Sequence, residues 1–188
     1  MTRVAIYGGS FNPPHVGHVL AVAYVLATAD VDDVLVVPTF QHPFAKELAP
    51  FDDRFALAEA AFGFLPRAQV SRVEAELGGE SRTLRTLEHL ARAHPTWEMR
   101  LMVGTDILAD APKWHGFEAV QRLAPLLVLG RAGVTREGGP EPVLPEVSST
   151  SIRELLAAGR ADELNTLVPR AVLSEIARRG LYRDGRRA

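Results

Sequence analysis

From Val4 to Arg179 the chain alternates short apolar runs with stretches of helical periodicity. The runs Val4-Ala5-Ile6-Tyr7, Val34-Leu35-Val36-Val37, Met99–Val103 and Leu126–Leu129 are apolar almost throughout. Strands of this kind are buried on both faces, as in a parallel sheet covered by helices. Gly17–Thr28 reads as a helix, with Leu20, Ala23, Tyr24 and Ala27 on one face. Asp52–Phe64 reads as another, with Phe55, Leu57, Ala58, Ala61 and Phe62 at helical spacing. Ser81–Ala93 follows, with Ser81 placed to cap it, and then Phe117–Leu123, Ser151–Ala158 and Arg170–Arg179. Gln69–Val73 reads as a further strand, Gly130–Pro145 as a Gly/Pro-rich loop, and Val147 as the close of a last short strand. Such alternation predicts βαβ units, hence a three-layer α/β/α fold with a mostly parallel sheet. Ligands of open sheets sit outside the carboxyl ends of the strands. Gly8, Pro38, Gly104 and the Val147–Ser151 segment all fall at such ends.

Composition narrows the function classes. A length of 188 residues fits one domain, 1–188, with a full core. A formal charge of −2 argues against general coating of nucleic acid. The chain has no cysteine, which removes disulfides, thiolate catalysis and Cys-based zinc sites. No apolar run approaches the ~20 residues of a membrane span. Thr2 and Arg3 lead directly into the first strand, leaving no room for a signal peptide, so a cytoplasmic protein is expected. The basic residues are almost all arginine. The two lysines, Lys46 and Lys113, are therefore worth following as candidates for specific roles. The charges of the tail Arg183–Arg187 are expected to be solvated.

The first apolar run ends in Gly8-Gly9-Ser10-Phe11-Asn12-Pro13-Pro14-His15-Val16-Gly17-His18. A strand thus runs into a glycine turn, and a helix opens carrying two histidines three residues apart. Backbone N–H groups, a helix N-terminus and two imidazoles converge on one small volume, which suits a polyphosphate. Either glycine alone would be only a turn. His15 and His18 could instead share a metal, but no cysteine or carboxylate follows at metal spacing, and no metal is expected. The stretch Gly9–His18 closely resembles the G-[ST]-F-[DN]-P-x-H-x-G-H signature of the H-x-G-H nucleotidyltransferase superfamily.

Other segments extend the resemblance over nearly the whole chain. Ser148-Ser149-Thr150-Ser151-Ile152-Arg153 has hydroxyls where a helix begins, which by itself reads equally as a cap. It is similar to the S-x-T-x-I-R element of nicotinate/nicotinamide mononucleotide adenylyltransferases. Gly104-Thr105-Asp106 ends a strand, and Asp106 either caps the next helix or, as the resemblance implies, accepts from ribose hydroxyls. Trp114, in Pro112-Lys113-Trp114, resembles the aromatic that stacks on the pyridine ring. Ser81-Arg82-Thr83-Leu84-Arg85-Thr86-Leu87 resembles S-Y-T-x-x-T-L, with Arg82 where the family has Tyr. The chain departs most at His42-Pro43-Phe44-Ala45-Lys46, in place of the family's P-P-H-K loop, where Lys46 stands in for the basic residue.

The resemblance implies a Rossmann-like fold and adenylyl transfer from ATP to nicotinate mononucleotide, giving deamido-NAD and pyrophosphate. It assigns His18 and His15 to the α-phosphate, with Gly8, Gly9, Ser10 and Phe11 as the turn beneath. Ser148, Ser149, Thr150 and Arg153 would hold the β/γ-phosphates, and Gly104 and Asp106 would lie beside the nucleotides. Lys46 would span donor and acceptor phosphates. Arg82, Thr83 and Trp114 would surround the acceptor. Mg²⁺ would be held mainly by the ATP phosphates. Nicotinamide mononucleotide or phosphopantetheine remain alternative acceptors. A non-catalytic regulatory domain is a more distant alternative, opposed by the intact His15, His18 and Arg153.

Overall fold

A computed structural model describes residues 1–42, 48–105, 114, 116–132 and 140–183. Six parallel strands form one sheet in the order β3-β2-β1-β4-β5-β6. They are β1 (Thr2–Gly9), β2 (Asp33–Pro38), β3 (Ala68–Val70), β4 (Trp97–Gly104), β5 (Leu126–Arg131) and β6 (Pro142–Leu144). The helices are α1 (Val16–Thr28), α2 (Phe51–Phe62), α3 (Val73–Leu77), α4 (Thr83–Ala93), α5 (Phe117–Leu123), α6 (Ser149–Ala157) and α7 (Arg170–Arg179). A 3-10 turn, Ala161–Leu164, joins the last two. The strand order reverses direction between β1 and β4. In sheets of this kind that reversal opens a crevice at the strands' carboxyl ends.

Strand geometry explains why the sheet has a core on each face. Successive side chains point to opposite sides. Ala5, Val34, Val36 and Met102 therefore meet α1, α2, α6 and α7 through Val22, Leu57, Phe62, Ile152 and Val172. Val4, Ile6, Leu35, Val37, Leu101 and Val103 meet α3, α4 and α5 through Val73, Leu87, Leu90 and Val120. Neither set of strand residues could be polar, which is why the strands read as continuous apolar runs. The three-layer α/β/α expectation holds, and the sheet is wholly parallel among the described residues.

Local details differ from the sequence reading, each for a physical reason. Phe55, Leu57, Ala58, Ala61 and Phe62 all face the core as expected, but α1 turns the other way. Its buried residues are Gly17, Ala21, Val22 and Val25, while Leu20, Tyr24 and Ala27 are exposed. Helix α1 is apolar on all sides, so periodicity finds a face without saying which one is inside. The strand at 69–73 is shorter and its end winds into α3. The last strand lies at Pro142–Leu144, inside the segment expected to be loop, and not at Val147. There Gly130 allows the approach: a Cβ on it would lie 2.0 Å from the Glu141 carbonyl oxygen. Among the described residues no helix is long and apolar enough to cross a membrane.

Candidate active site

β1 delivers Gly8 and Gly9 to the mouth of the crevice. Gly8 is exposed, and the space a Cβ would fill is open, so the backbone is accessible to a ligand. Phe11 then turns inward at φ +46° and is 2% exposed, its ring meeting Tyr7 and Phe62 edge to face. The following Asn12–Pro13 peptide is cis. His15 sits at the N-cap of α1 and is buried. The rings of His15 and His18 stack at 3.7 Å. Gly17 makes this possible, because a Cβ there would lie 3.1 Å from the His15 ring.

The two histidines are also bonded through the backbone. The His15 N–H donates to Nδ1 of His18 at 3.1 Å. An imidazole nitrogen that accepts a hydrogen bond carries no proton, so the ring proton of His18 is on Nε2. Nε2 is thereby left as the donor of His18, and the ring lies in a T-shaped contact with Phe11 at 5.2 Å.

The second motif arrives from the far end of the sequence. Ser148 caps α6, accepting from the Ser151 N–H at 3.1 Å. Ser149 Oγ donates to the Pro13 carbonyl at 2.8 Å, and Arg153 Nη1 donates to the Asn12 carbonyl at 2.9 Å, across 141 residues of sequence. Arg153 Nη2 also reaches Thr150 Oγ1 at 3.4 Å. The N-termini of α1 and α6 therefore meet at one loop, each bringing the positive end of a helix dipole to it. The structure thus brings Ser149, Thr150 and Arg153 to the loop that follows Gly8–Phe11 and leads into the stacked His15 and His18.

The segment before α4 docks beyond the end of β2. Gln41 and Glu80 form an isolated parallel bridge, and the Ser81 N–H donates to the Gln41 carbonyl at 2.9 Å. Ser81 is not the cap of α4. Arg82 holds that position and makes no side-chain capping bond. Ser81 Oγ instead accepts the backbone N–H of Phe40 at 2.9 Å and of Gln41 at 3.3 Å, a tertiary bond that outcompetes a local one. Arg82 is exposed and ion-paired with Glu80 at 2.8 Å. Thr83 opens α4. Trp114 is half-buried, edge to face with Phe117. Two residues later Gly116, at φ +69°, comes so near α4 that a Cβ would lie 2.5 Å from Leu84 Cδ2. That approach brings Trp114 towards the first turn of α4. Lys46 and Asp106, together with Lys113, lie outside the described residues.

Several residues absent from the sequence reading support this surface. Asn12 Oδ1 accepts the Ala49 N–H at 3.2 Å and the Tyr182 hydroxyl at 2.8 Å. Tyr182 reaches it because Gly180 ends α7 in the left-handed conformation and turns the chain inward. Burial pushes the Tyr182 hydroxyl pKa up. Glu74 on α3 accepts the Phe40 N–H at 3.1 Å and the Thr86 hydroxyl at 3.2 Å, and burial raises its pKa above the usual carboxylate range. Arg54 is 1% exposed, with its Nε and both terminal nitrogens donating to backbone carbonyls. One signal was available for Arg54: it lies one turn before Ala58 and two before Phe62, on the buried stripe of α2.

Fold and site together define an α/β domain whose sheet crevice gathers two helix N-termini and a stacked histidine pair, a setting that suits a nucleotide's phosphates. The cytidylyltransferase-like family model matches residues 6–155. The chain is 47% identical to the probable nicotinate-nucleotide adenylyltransferase of Anaeromyxobacter dehalogenans strain 2CP-C over 184 residues, 96% of this chain and 97% of that one. It is 35% identical to a probable nicotinate-nucleotide adenylyltransferase of Thermus thermophilus, over 96% of this chain and all of that one. In structure it resembles Plasmodium falciparum nicotinic acid mononucleotide adenylyltransferase complexed with APC, at TM-score 0.80 and 16% identity, covering 97% of this chain and 98% of that one. That likeness is one of fold. The chain belongs to the cytidylyltransferase-like family and, within it, to the nicotinate-nucleotide adenylyltransferases.

Proposed function

We propose that the chain transfers the adenylyl group of ATP to the 5′-phosphate of nicotinate mononucleotide, forming deamido-NAD and releasing pyrophosphate. The observation that carries this is the docking of Ser149 and Arg153 on the carbonyls of Pro13 and Asn12, which joins two phosphate-seeking helix N-termini. An acceptor phosphate oxygen attacks Pα, the bond from Pα to the β-bridging oxygen breaks, and pyrophosphate carries away the electron pair. A phosphate already ionised at neutral pH needs no general base. The work left to the protein is in-line alignment and charge stabilisation.

Each group has a place in that task. His18, donating from Nε2, and His15 bind the α-phosphate. The open backbone at Gly8 and Gly9, with Ser10 and Phe11, receives the polyphosphate. Ser148, Ser149, Thr150 and Arg153 hold the departing β/γ-phosphates, Arg153 through a planar fork suited to them. By the family resemblance Lys46 is assigned to the donor and acceptor phosphates, and Gly104 and Asp106 to nucleotide binding. Magnesium enters as part of the MgATP substrate, because the described donor set is imidazoles, hydroxyls and a guanidinium, whereas this hard ion prefers phosphate oxygens and water.

The acceptor ring lies against Trp114, with its carboxylate at the start of α4. Thr83 and the uncapped N–H groups of the first turn favour an anion there. Arg82, tied to Glu80, contributes less than a lone cation would. Residues 1–188 act as one domain, in the cytoplasm, with no nucleic acid or membrane partner. Incubating the protein with MgATP and nicotinate mononucleotide, and assaying pyrophosphate and deamido-NAD together, tests the reading. Stoichiometric appearance of both supports it. Pyrophosphate without dinucleotide, or neither product, overturns it.

A further inference from the structure

Arg54 links three backbone segments from beneath the crevice. Its Nε donates to the Ala49 carbonyl at 2.8 Å, Nη1 to the Ser10 carbonyl at 3.0 Å and Nη2 to the Phe40 carbonyl at 3.2 Å. Ser10 belongs to the phosphate loop. Phe40 and Ala49 flank the stretch of sequence that contains Lys46. Both flanks are held a second time. The Ala49 N–H donates to Asn12 Oδ1, and the Phe40 N–H is shared by Glu74 Oε2 and Ser81 Oγ. Glu74 accepts from Thr86, and Ser81 leads directly into Arg82 and Thr83.

The bonds therefore form a continuous path. It runs from Arg153 and Tyr182 through Asn12 and Ala49 to Arg54, and on through Phe40 to Glu74 and α4. Arg54 stands where the ATP-side and acceptor-side portions meet. A guanidinium suits this position because its rigid fork can donate in several fixed directions at once, whereas an ammonium is a single flexible point. A hydrophobic residue of the same length would leave carbonyls unsatisfied.

We infer that Arg54 is a positioning residue for adenylyl transfer, setting the distance and angle between the donor and acceptor phosphates through the Ser10, Phe40 and Ala49 carbonyls. It touches neither substrate. Its contribution is alignment, so its loss should slow the chemical step more than it weakens either binding step. Small misplacements of reacting groups can cost ~10²-fold in rate.

The inference rests on the adenylyl-transfer reading, so wild-type turnover of MgATP and nicotinate mononucleotide is established first; its absence would count against that reading and not against Arg54. Arg54→Lys is then compared with wild type by steady-state kinetics, with thermal melting to show that it is folded at the assay temperature. The expected result is a fall in kcat of roughly 10- to 100-fold with KM for ATP and for the acceptor changed less than about threefold. A folded variant with unchanged kcat overturns the inference. So does a loss of kcat that only tracks the unfolded fraction.

Glu74→Gln provides a second handle should Arg54→Lys not fold, because it loosens Phe40 from the N–H side while keeping the side chain's shape. It should lower kcat about three- to tenfold, again at nearly constant KM, since one neutral hydrogen bond replaces a charge-assisted one. Wild-type kinetics for Glu74→Gln would overturn the idea that the Phe40 clamp sets the geometry. Where both variants fold, the double variant should lose less than the product of the single losses, because both act through Phe40. Simple multiplication of the two effects would overturn the shared path.

Discussion

At the β1 end of the crevice Phe11, Asn12, Pro13, Pro14 and His15 are all buried, whereas at the α4 end Arg82 is exposed and Thr83 and Trp114 are half-buried. The Ser10–Pro13 loop is bonded to Ser149, Arg153, Arg54, Ala49 and Tyr182 from several directions. The α4 end is held by the Gln41–Glu80 bridge and the Ser81 contacts, and its side chains are more open to solvent than those of the β1 end. This difference matches the demands on each end. In the proposed reaction charge develops at the α-phosphate, assigned to the β1 end, and a preorganised, water-poor donor set is worth most there. Acceptor identity needs only a few discriminating contacts, which half-exposed side chains can supply.

Substitutions at the two ends should consequently differ in size and kind. The largest effect is expected from His18→Ala, which removes the donor whose tautomer the His15 N–H sets. Its kcat should fall by ~10²-fold or more, as for deletion of one oxyanion donor, with folding retained. Rapid turnover by the folded variant would erase the functional contrast between the two ends.

Arg153→Lys should come next. The charge stays but the fork that reaches Asn12 and Thr150 is lost. A drop of about tenfold or more in kcat/KM for ATP is expected, the scale of one charge-assisted hydrogen bond. Kinetics identical to wild type would mean that Arg153 only ties α6 to the loop.

At the acceptor end, nicotinate mononucleotide should be used at least ~10-fold more efficiently than its amide, because a carboxylate accepts from a helix N-terminus with the added strength of charge. Trp114→Ala should slow both acceptors to a similar degree, since stacking does not depend on the ring's substituent. Competition between the two acceptors measures the first ratio directly, and equal use would refute the role given to the start of α4. The smallest effect is expected from Arg82→Ala. An exposed ion pair contributes about 0–1 kcal/mol, so the acceptor ratio should move by less than about fivefold. A larger shift would show that Arg82 leaves Glu80 to meet the substrate.

Legibility in the sequence followed contiguity. The strands of the sheet centre were readable because burial on both faces forces apolar runs. Gly9–His18 was readable because the residues of this strand–turn–helix junction are neighbours in the chain. Ser148–Arg153 was visible as a motif, yet its cap and anion readings could be joined only by its contact with Pro13 and Asn12. Ser81 reads as the cap of α4 in sequence because a hydroxyl before a helix has a local use, whereas the N–H groups of Phe40 and Gln41 that it meets are about forty residues away. Strand β6 was missed because a short edge strand in a Gly/Pro-rich stretch has no periodicity to reveal it.

The order of residues was enough for the alternation of strands and helices, the two-sided burial of the sheet, and the family to which the strand–turn–helix junction belongs. These depend on properties of adjacent residues: apolar runs, backbone freedom at glycine, and the period of a helix. The tertiary structure alone decided which face of α1 is buried, how Arg82 is paired, and why a charged residue occupies the core stripe of α2. Arg54 bonds to carbonyls that lie 5, 14 and 44 residues away. A backbone carbonyl looks the same at every position of a sequence, so only folding could reveal which of them this arginine was placed to meet.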